Sequence, residues 1–378
     1  MNVKLHITEA CNMRCGYCYI AQKPAFMTKE TAFAAVDFAL RTGADTRMPG
    51  IAFFGGEPLL MKELIFETVA YAHKKTAGTG QKVLFKITTN GLLLDDEMLR
   101  FCGEQGVLVA LSVDGDRKAH DRHRLDREGN GTHERVIAAG RKLLVTQPSA
   151  PAMITVNPDT LPFLYESVLY LYNVGFRYLI CVVNYMSGWR ERDFREFKKQ
   201  YTLLADFYYE QTMKEEKFYF SPFDVKINSH ITNKSYCQDR CTVAQSQVSV
   251  GVDGTVYPCV QFVTDKASAI GDVFSGIDQQ KRGAFIHQND AEKGGCEVCA
   301  IKRRCNHYCA CLNKRTTGDI NQVSPALCAH ERVIMPIADQ LAAKLYRGKS
   351  AMFMQKQYNE FYPIISMAED NLDRMRSK

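Results

Sequence analysis

The sequence predicts an α/β protein: a partial (β/α)6 TIM barrel, open and parallel, followed by a small irregular cysteine-rich domain. Three observations carry this expectation. Short apolar runs alternate with longer amphipathic stretches up to about residue 215, the pattern of strands joined by crossover helices in a parallel sheet. The unusual residues of that region all fall where a strand has just ended, the face on which barrels of this kind carry their active sites. Beyond it the chain becomes turn-rich and dense in cysteine, until a last helical stretch near 329–345 and a polar tail. The expected domains are therefore 1–215, 216–345 and a C-terminal helical tail, 346–378.

In chain order, the apolar runs at 2–8, 50–54, 82–89, 107–113, 152–157 and 177–185 read as strands. Helical patterns occupy 28–43, 59–75, 94–106, 132–146, 160–175 and 191–216. Thr28 ahead of Glu30 is a start signal, and glycine closes several of the helices. No internal repeat or low-complexity segment is visible. Asp253-Gly254, between alternating apolar runs, reads as a hairpin that delivers Cys259.

Composition narrows the function classes. A chain of 378 residues, 46% hydrophobic, can bury a sizeable core, and no run reaches the length of a membrane span. The N-terminus alternates polar and apolar residues without the blocks of a secretory signal, so the reading is soluble and cytoplasmic, with no membrane partner. The net charge of +6 is spread along the chain, with only Lys302–Arg304 as a cluster. That argues against nucleic acid and suits an acidic peptide. Fourteen cysteines in a reducing compartment point to metal or cluster binding rather than disulfides.

Thiolates are soft ligands that select zinc, copper(I) or iron-sulfur clusters. Cys11, Cys15 and Cys18 follow the first strand, and three thiolates from one loop leave a four-cornered site with one position open to a substrate or cosubstrate. A structural zinc is the bland alternative. After the second strand comes "GGEP", Gly55 to Pro58; after the third, "TTNG", Thr88 to Gly91; Ser112 and Asp114 close the fourth.

The C-x3-C-x2-C spacing, with Tyr17 just before the last cysteine, resembles the signature of the radical S-adenosylmethionine (radical SAM) enzymes, and "GGEP" is similar to that superfamily's second motif. The resemblance covers the first domain. It implies a 4Fe-4S cluster on Cys11, Cys15 and Cys18 whose open iron chelates S-adenosylmethionine. It also implies that Gly55, Gly56 and Glu57 hold the methionyl amine, with Asn90 and Ser112 as candidates near the ribose or carboxylate. Strand-end capping is an equal explanation for Asn90 and Ser112.

From 237 to 335 the cysteine pattern resembles the SPASM domain, which binds auxiliary 4Fe-4S clusters. By that resemblance Cys237, Cys241, Cys259 and Cys309 hold one cluster and Cys296, Cys299, Cys305 and Cys328 a second, making three clusters in all. Cys311 is close enough to Cys309 in sequence to replace it. Of the others, Cys102 reads as a core residue, and Cys181 ends a strand facing the pocket. Lys302, Arg303 and Arg304 read as a solvated loop or as counter-charge to a cluster.

The resemblance implies a radical SAM/SPASM oxidoreductase acting on a peptide or protein, fed by an external low-potential donor such as flavodoxin or ferredoxin. Sulfatase maturases of the family carry an acid directly after the hairpin cysteine; here that position is Val260, which cannot take a proton. The expected activity is therefore crosslinking of a ribosomally made peptide, through a thioether or carbon-carbon bond. Formylglycine formation or another side-chain dehydrogenation is the alternative, and a non-catalytic iron-sulfur or zinc scaffold the remote one. The chain starts at its first barrel strand, so a leader-peptide-binding module is expected to be absent or supplied by another protein. No catalytic acid or base is named by the pattern; Tyr185, Tyr257, His307, Asp114 and Asp253 are conceivable proton carriers, each with a structural explanation.

Overall fold

In the computed structural model, residues 1–43, 48–263, 265–362, 364–366 and 368–370 are described. The first six strands form where the apolar runs place them: β1 Asn2–Thr8, β2 Gly50–Gly55, β3 Leu84–Thr89, β4 Val107–Ser112, β5 Ala152–Val156 and β6 Tyr178–Val183. The helices between them are α1 Lys29–Thr42, α2 Lys62–Thr76, α3 Asp96–Gln105, the short α4 Arg117–His120, α5 His133–Thr146 and α6 Leu164–Val174, with α7 Glu191–Met213 after β6. Local chemistry sets their ends. Thr28 accepts from the Thr31 N–H to cap α1, Asp95 accepts from Met98 to cap α3, and Gly106 leaves α3 in the left-handed conformation.

All the β1 to β6 ladders are parallel, so every strand's C-terminal end lies on one edge. Val3, Leu5 and Ile7 alternate toward the helix layer, where they join Ala35, Val36 and Phe38 of α1; each such side chain contributes roughly 1.5–3 kcal/mol by burial. His6 points to the other face, beside Phe54 with ring centroids 5.2 Å apart.

The sheet does not stop near residue 215. β7 Tyr219–Phe220 pairs with β6, and α8 Ser221–Thr232 follows it, so one more strand and helix extend the barrel beyond the expected boundary. At the opposite edge β8 Gln247–Val250 pairs in parallel with β1, Asn2 opposite Gln247 and Leu5 opposite Val250. β9 Thr255–Tyr257 returns antiparallel as the expected hairpin, with Gly254 at φ 88°, and β10 Gly271–Asp272 and β11 Gly276–Ile277 complete the edge. The result is one sheet of 11 strands in the order β11-β10-β9-β8-β1-β2-β3-β4-β5-β6-β7.

The cysteine-rich segment holds α9 Gln279–Asp290 and α10 Ala310–Thr317, then the long α11 Pro325–Gly348. α11 packs along α7 and α8 and is pinned there by polar contacts. Glu331 makes a buried 2.6 Å ion pair with Lys226 of α8, and His330 bridges the hydroxyls of Tyr201 and Tyr185 at 2.8 Å each. The tail continues as α12 Ala351–Tyr358; the end of the expected tail, 371–378, lies outside the described residues.

His6 is buried with its Nε2 unpartnered, and burial, helped by Lys4, holds its pKa down to about 3. The unfolded chain, with an ordinary value near 6.5, takes up the proton first as pH falls. Stability contributed by neutral His6 should thus be full above about pH 6.5 and disappear progressively toward about pH 3. Thermal unfolding across that range should show a shallower acid loss in His6→Asn than in the parent.

Candidate active site

The loop carrying Cys11, Cys15 and Cys18 leaves the end of β1 and is fastened from three sides. From β2, the Gly56 N–H donates to the Thr8 carbonyl at 2.8 Å and the Glu57 N–H to Ala10 at 2.9 Å. From β3, Asn90 Nδ2 donates to Asn12 Oδ1 at 2.8 Å and lies 3.8 Å from Cys11 Sγ. From the segment between α4 and α5, the Leu125 and His123 carbonyls accept from Arg14 and Gly16 at 2.8 and 3.0 Å, and Arg127 Nε donates to the Cys11 carbonyl at 2.7 Å.

Close packing explains the two glycines. A Cβ on Gly56 would stand 2.0 Å from the Ala10 carbonyl oxygen, and one on Gly55, at φ 134°, 2.2 Å from that of Thr8. Only backbone fits between β2 and the cysteine loop. Glu57 is fully buried and its carboxylate is taken by protein donors: Leu59 N–H at 3.0 Å, Thr89 Oγ1 at 2.7 Å and Asn90 N–H at 2.8 Å. Burial raises its pKa to about 7 against those hydrogen bonds. Glu57 therefore ties the end of β3 to the end of β2, a fastening role that the motif alone does not reveal. Glu57→Gln, which turns an N–H toward one of these donors, should destabilise the protein by about 1–3 kcal/mol and loosen the cysteine loop, read as a lower thermal midpoint and lower iron content.

A second buried group braces the loop from β4. Asp114 accepts from the Tyr17 hydroxyl at 2.6 Å and the Thr155 N–H at 2.8 Å, and pairs with Arg124 Nε at 2.9 Å. The Arg124 guanidinium lies 5.4 Å from the Tyr17 ring centre and favours the thiolate of Cys15, while burial raises that thiol's pKa. Burial also pushes the Cys11 thiol up to about 12, so loading a metal there must displace a proton. Ser112 is half-buried at the end of β4. Arg124, Arg127 and His123 were invisible in the motif reading. Their only signal was the charged stretch "DRHRLDREGNG" between a strand and a helix.

The remaining cysteines fall into two groups. Cys237 and Cys241 lie on the turn after α8, Cys259 follows β9, and Cys309 caps α10. Cys237 lies close to Cys309, and Cys241 lies within electrostatic reach of Cys259 and Cys309. In the other group Cys296 is near Cys299 and Cys328, and Cys305 is near Cys328. Arg332 Nη2 reaches Cys299 Sγ at 3.8 Å. Among the described residues no three His, Cys, Asp or Glu side chains stand close enough to bind a single metal ion.

The residues present fit sulfur clusters. The Tyr19 hydroxyl, buried and unpartnered, lies near Cys18, Cys259 and Cys311. Sulfide or thiolate acceptors would satisfy such a donor. A cluster on the first loop would supply the electron that cleaves a sulfonium cosubstrate.

The other expected roles resolve differently. The basic loop largely spends its charge on carboxylates, Lys302 on Glu292 and Arg304 on Asp339. Cys181 shares the core-facing side of β6 with Leu179 and Val183, and Cys102 packs in the core. The Tyr185 hydroxyl is taken by His330.

An open parallel barrel with a three-cysteine loop at the strand ends defines the fold of a radical SAM enzyme. Residues 5–160 match the model of the Radical SAM superfamily. The cysteine-type anaerobic sulfatase-maturating enzyme of Clostridium perfringens is 24% identical over 336 residues, 83% of this chain and 90% of its own. The serine-type enzyme of Bacteroides thetaiotaomicron is 27% identical over 80% of each chain. The structure of native anSMEcpe with bound AdoMet superposes with a TM-score of 0.79 over 92% of this chain and 99% of that one, at 22% identity. Streptococcus suis SuiB bound to precursor peptide SuiA gives 0.61 over 86% and 75%, at 13% identity. The chain thus carries a radical SAM domain and is similar over most of its length to the anaerobic sulfatase maturases. Among its described residues no helix is long and apolar enough to cross a membrane.

Proposed function

We propose that this enzyme carries three 4Fe-4S clusters and modifies a peptide or protein side chain by hydrogen abstraction. Cys11, Cys15 and Cys18 hold the S-adenosylmethionine cluster, Gly55, Gly56, Glu57, Asn90 and Ser112 shape the cosubstrate's pocket, and the two further cysteine groups hold the auxiliary clusters. It works in the cytoplasm with a low-potential flavodoxin or ferredoxin as donor. Relatives matched over most of their length, one of them with bound AdoMet and the Cp18Cys peptide, support a peptide-class substrate.

The product we favour is a crosslink. The observation behind it is Val260, which follows Cys259 where the sulfatase maturases carry an acid. The likeness to sulfatase maturases supports a second reading, formylglycine formation. Both would start by removing one hydrogen atom, and an auxiliary cluster held by the further cysteines would supply the electron acceptor; formylglycine formation would also need the side-chain base whose place Val260 takes, whereas in a thioether crosslink the attacking thiol would release its proton to solvent.

Anaerobic reaction with S-adenosylmethionine, reductant and candidate peptides, followed by mass spectrometry, separates them. Loss of two hydrogen atoms without a hydrazine-reactive carbonyl is the expected result. A carbonyl that hydrazine traps selects formylglycine. Formation of 5'-deoxyadenosine while every peptide stays unchanged would remove the support for a peptide substrate.

A further inference from the structure

Five thiols, rather than four, close on the auxiliary site beside the barrel. Cys311 Sγ lies 3.4 Å from Cys309 Sγ. Cys311 also lies close to Cys259, and Cys309 close to Cys237. The crowding has a local cause: Cys309 is the N-cap of α10 and Cys311 sits in its first turn, where backbone N–H groups lack intrahelical acceptors and favour thiolates. Sulfurs bound to different irons of one cubane are held apart by the cluster itself. Two sulfurs in van der Waals contact must therefore address the same iron.

We propose that Cys309 and Cys311 are interchangeable ligands of one corner of this 4Fe-4S cluster, with Cys237, Cys241 and Cys259 holding the other three. The proposal rests on the three-cluster reading above. A second observation supports it: the unpartnered Tyr19 hydroxyl lies near Cys311, and Arg315, four residues further along α10, stacks 5.2 Å over the Tyr19 ring. A donor and a cation thus stand ready for the Cys311 thiolate when it is released. Exchange lets that iron take a soft donor, such as a peptide thiolate, while the cluster stays anchored by its other three thiolates.

Iron counts on anaerobically reconstituted protein test this. The parent, Cys309→Ala and Cys311→Ala should each bind about twelve iron atoms, and the double variant about eight. A fall to about eight in Cys309→Ala, with Cys311→Ala unchanged, overturns the exchange while leaving three clusters in place. A parent that binds only about four overturns the three-cluster reading itself. A wild-type readout is independent of whether the variants fold. In the intact holoprotein, iodoacetamide followed by peptide fragmentation should divide a single label between Cys309 and Cys311. Label confined to Cys311 makes Cys309 the sole ligand and ends the proposal.

Discussion

Cys15→Ala should bind about four fewer iron atoms than the parent and make no detectable 5'-deoxyadenosine from S-adenosylmethionine under reductant. The expectation follows from where the ligands come from. On the proposed assignment all three thiols are supplied by one loop, so two thiolates would remain to hold a cluster with one corner already open. The loss should be local. The loop's backbone is fixed by Thr8, Ala10, Arg14 and Gly16, none of which depends on the Cys15 side chain, and the other two cysteine groups lie on separate elements. The visible absorbance of the remaining clusters and the thermal midpoint should therefore change little. Cys102→Ala is the contrast: it removes a thiol buried in the core on α3, and should cost stability while keeping all the iron and all the cleavage. Cleavage retained in Cys15→Ala would end the assignment of this loop.

How much of this was legible beforehand depends on the range of the interaction. The six strands and their helices were readable because their signals are local: apolar periodicity, Thr28 as a cap, glycine at the exits. The cysteine loop was readable because its three thiols lie within eight residues of sequence, Cys11 to Cys18. The pairing of β8 with β1 was not, since Asn2 and Gln247 meet only after the chain has gone around the barrel, and a four-residue parallel strand carries almost no signal of its partner. "GGEP" was readable as a motif but not as a mechanism. That Gly56 must be glycine because the Ala10 carbonyl is in the way, and that Glu57 holds Thr89 and Asn90, needs coordinates. Asp114 shows the opposite failure. Its turn-like context in "SVDG" suggested strand termination, and the cation that makes it structural is ten residues away inside a charged run that reads as solvated surface.

That pair is also where a single substitution should reach furthest. Asp114→Asn leaves Arg124, nearly fully buried, without its counter-charge and weakens the acceptor for the Tyr17 hydroxyl and the Thr155 N–H. Breaking one side of a buried ion pair costs about 3–5 kcal/mol, most of it the penalty of the charge left behind. Two consequences should separate in experiment. The stability loss comes from Arg124, so Asp114→Asn combined with Arg124→Met, which removes the stranded charge and keeps the volume, should recover most of the thermal midpoint. The loosening of the cysteine loop comes from Tyr17, whose anchor the second substitution does not restore, so iron retention on the first cluster should stay low in the double variant. Recovery of both together would mean that Asp114 acts on the loop only through Arg124. A midpoint within a degree of the parent in Asp114→Asn alone would mean that the buried pair contributes little.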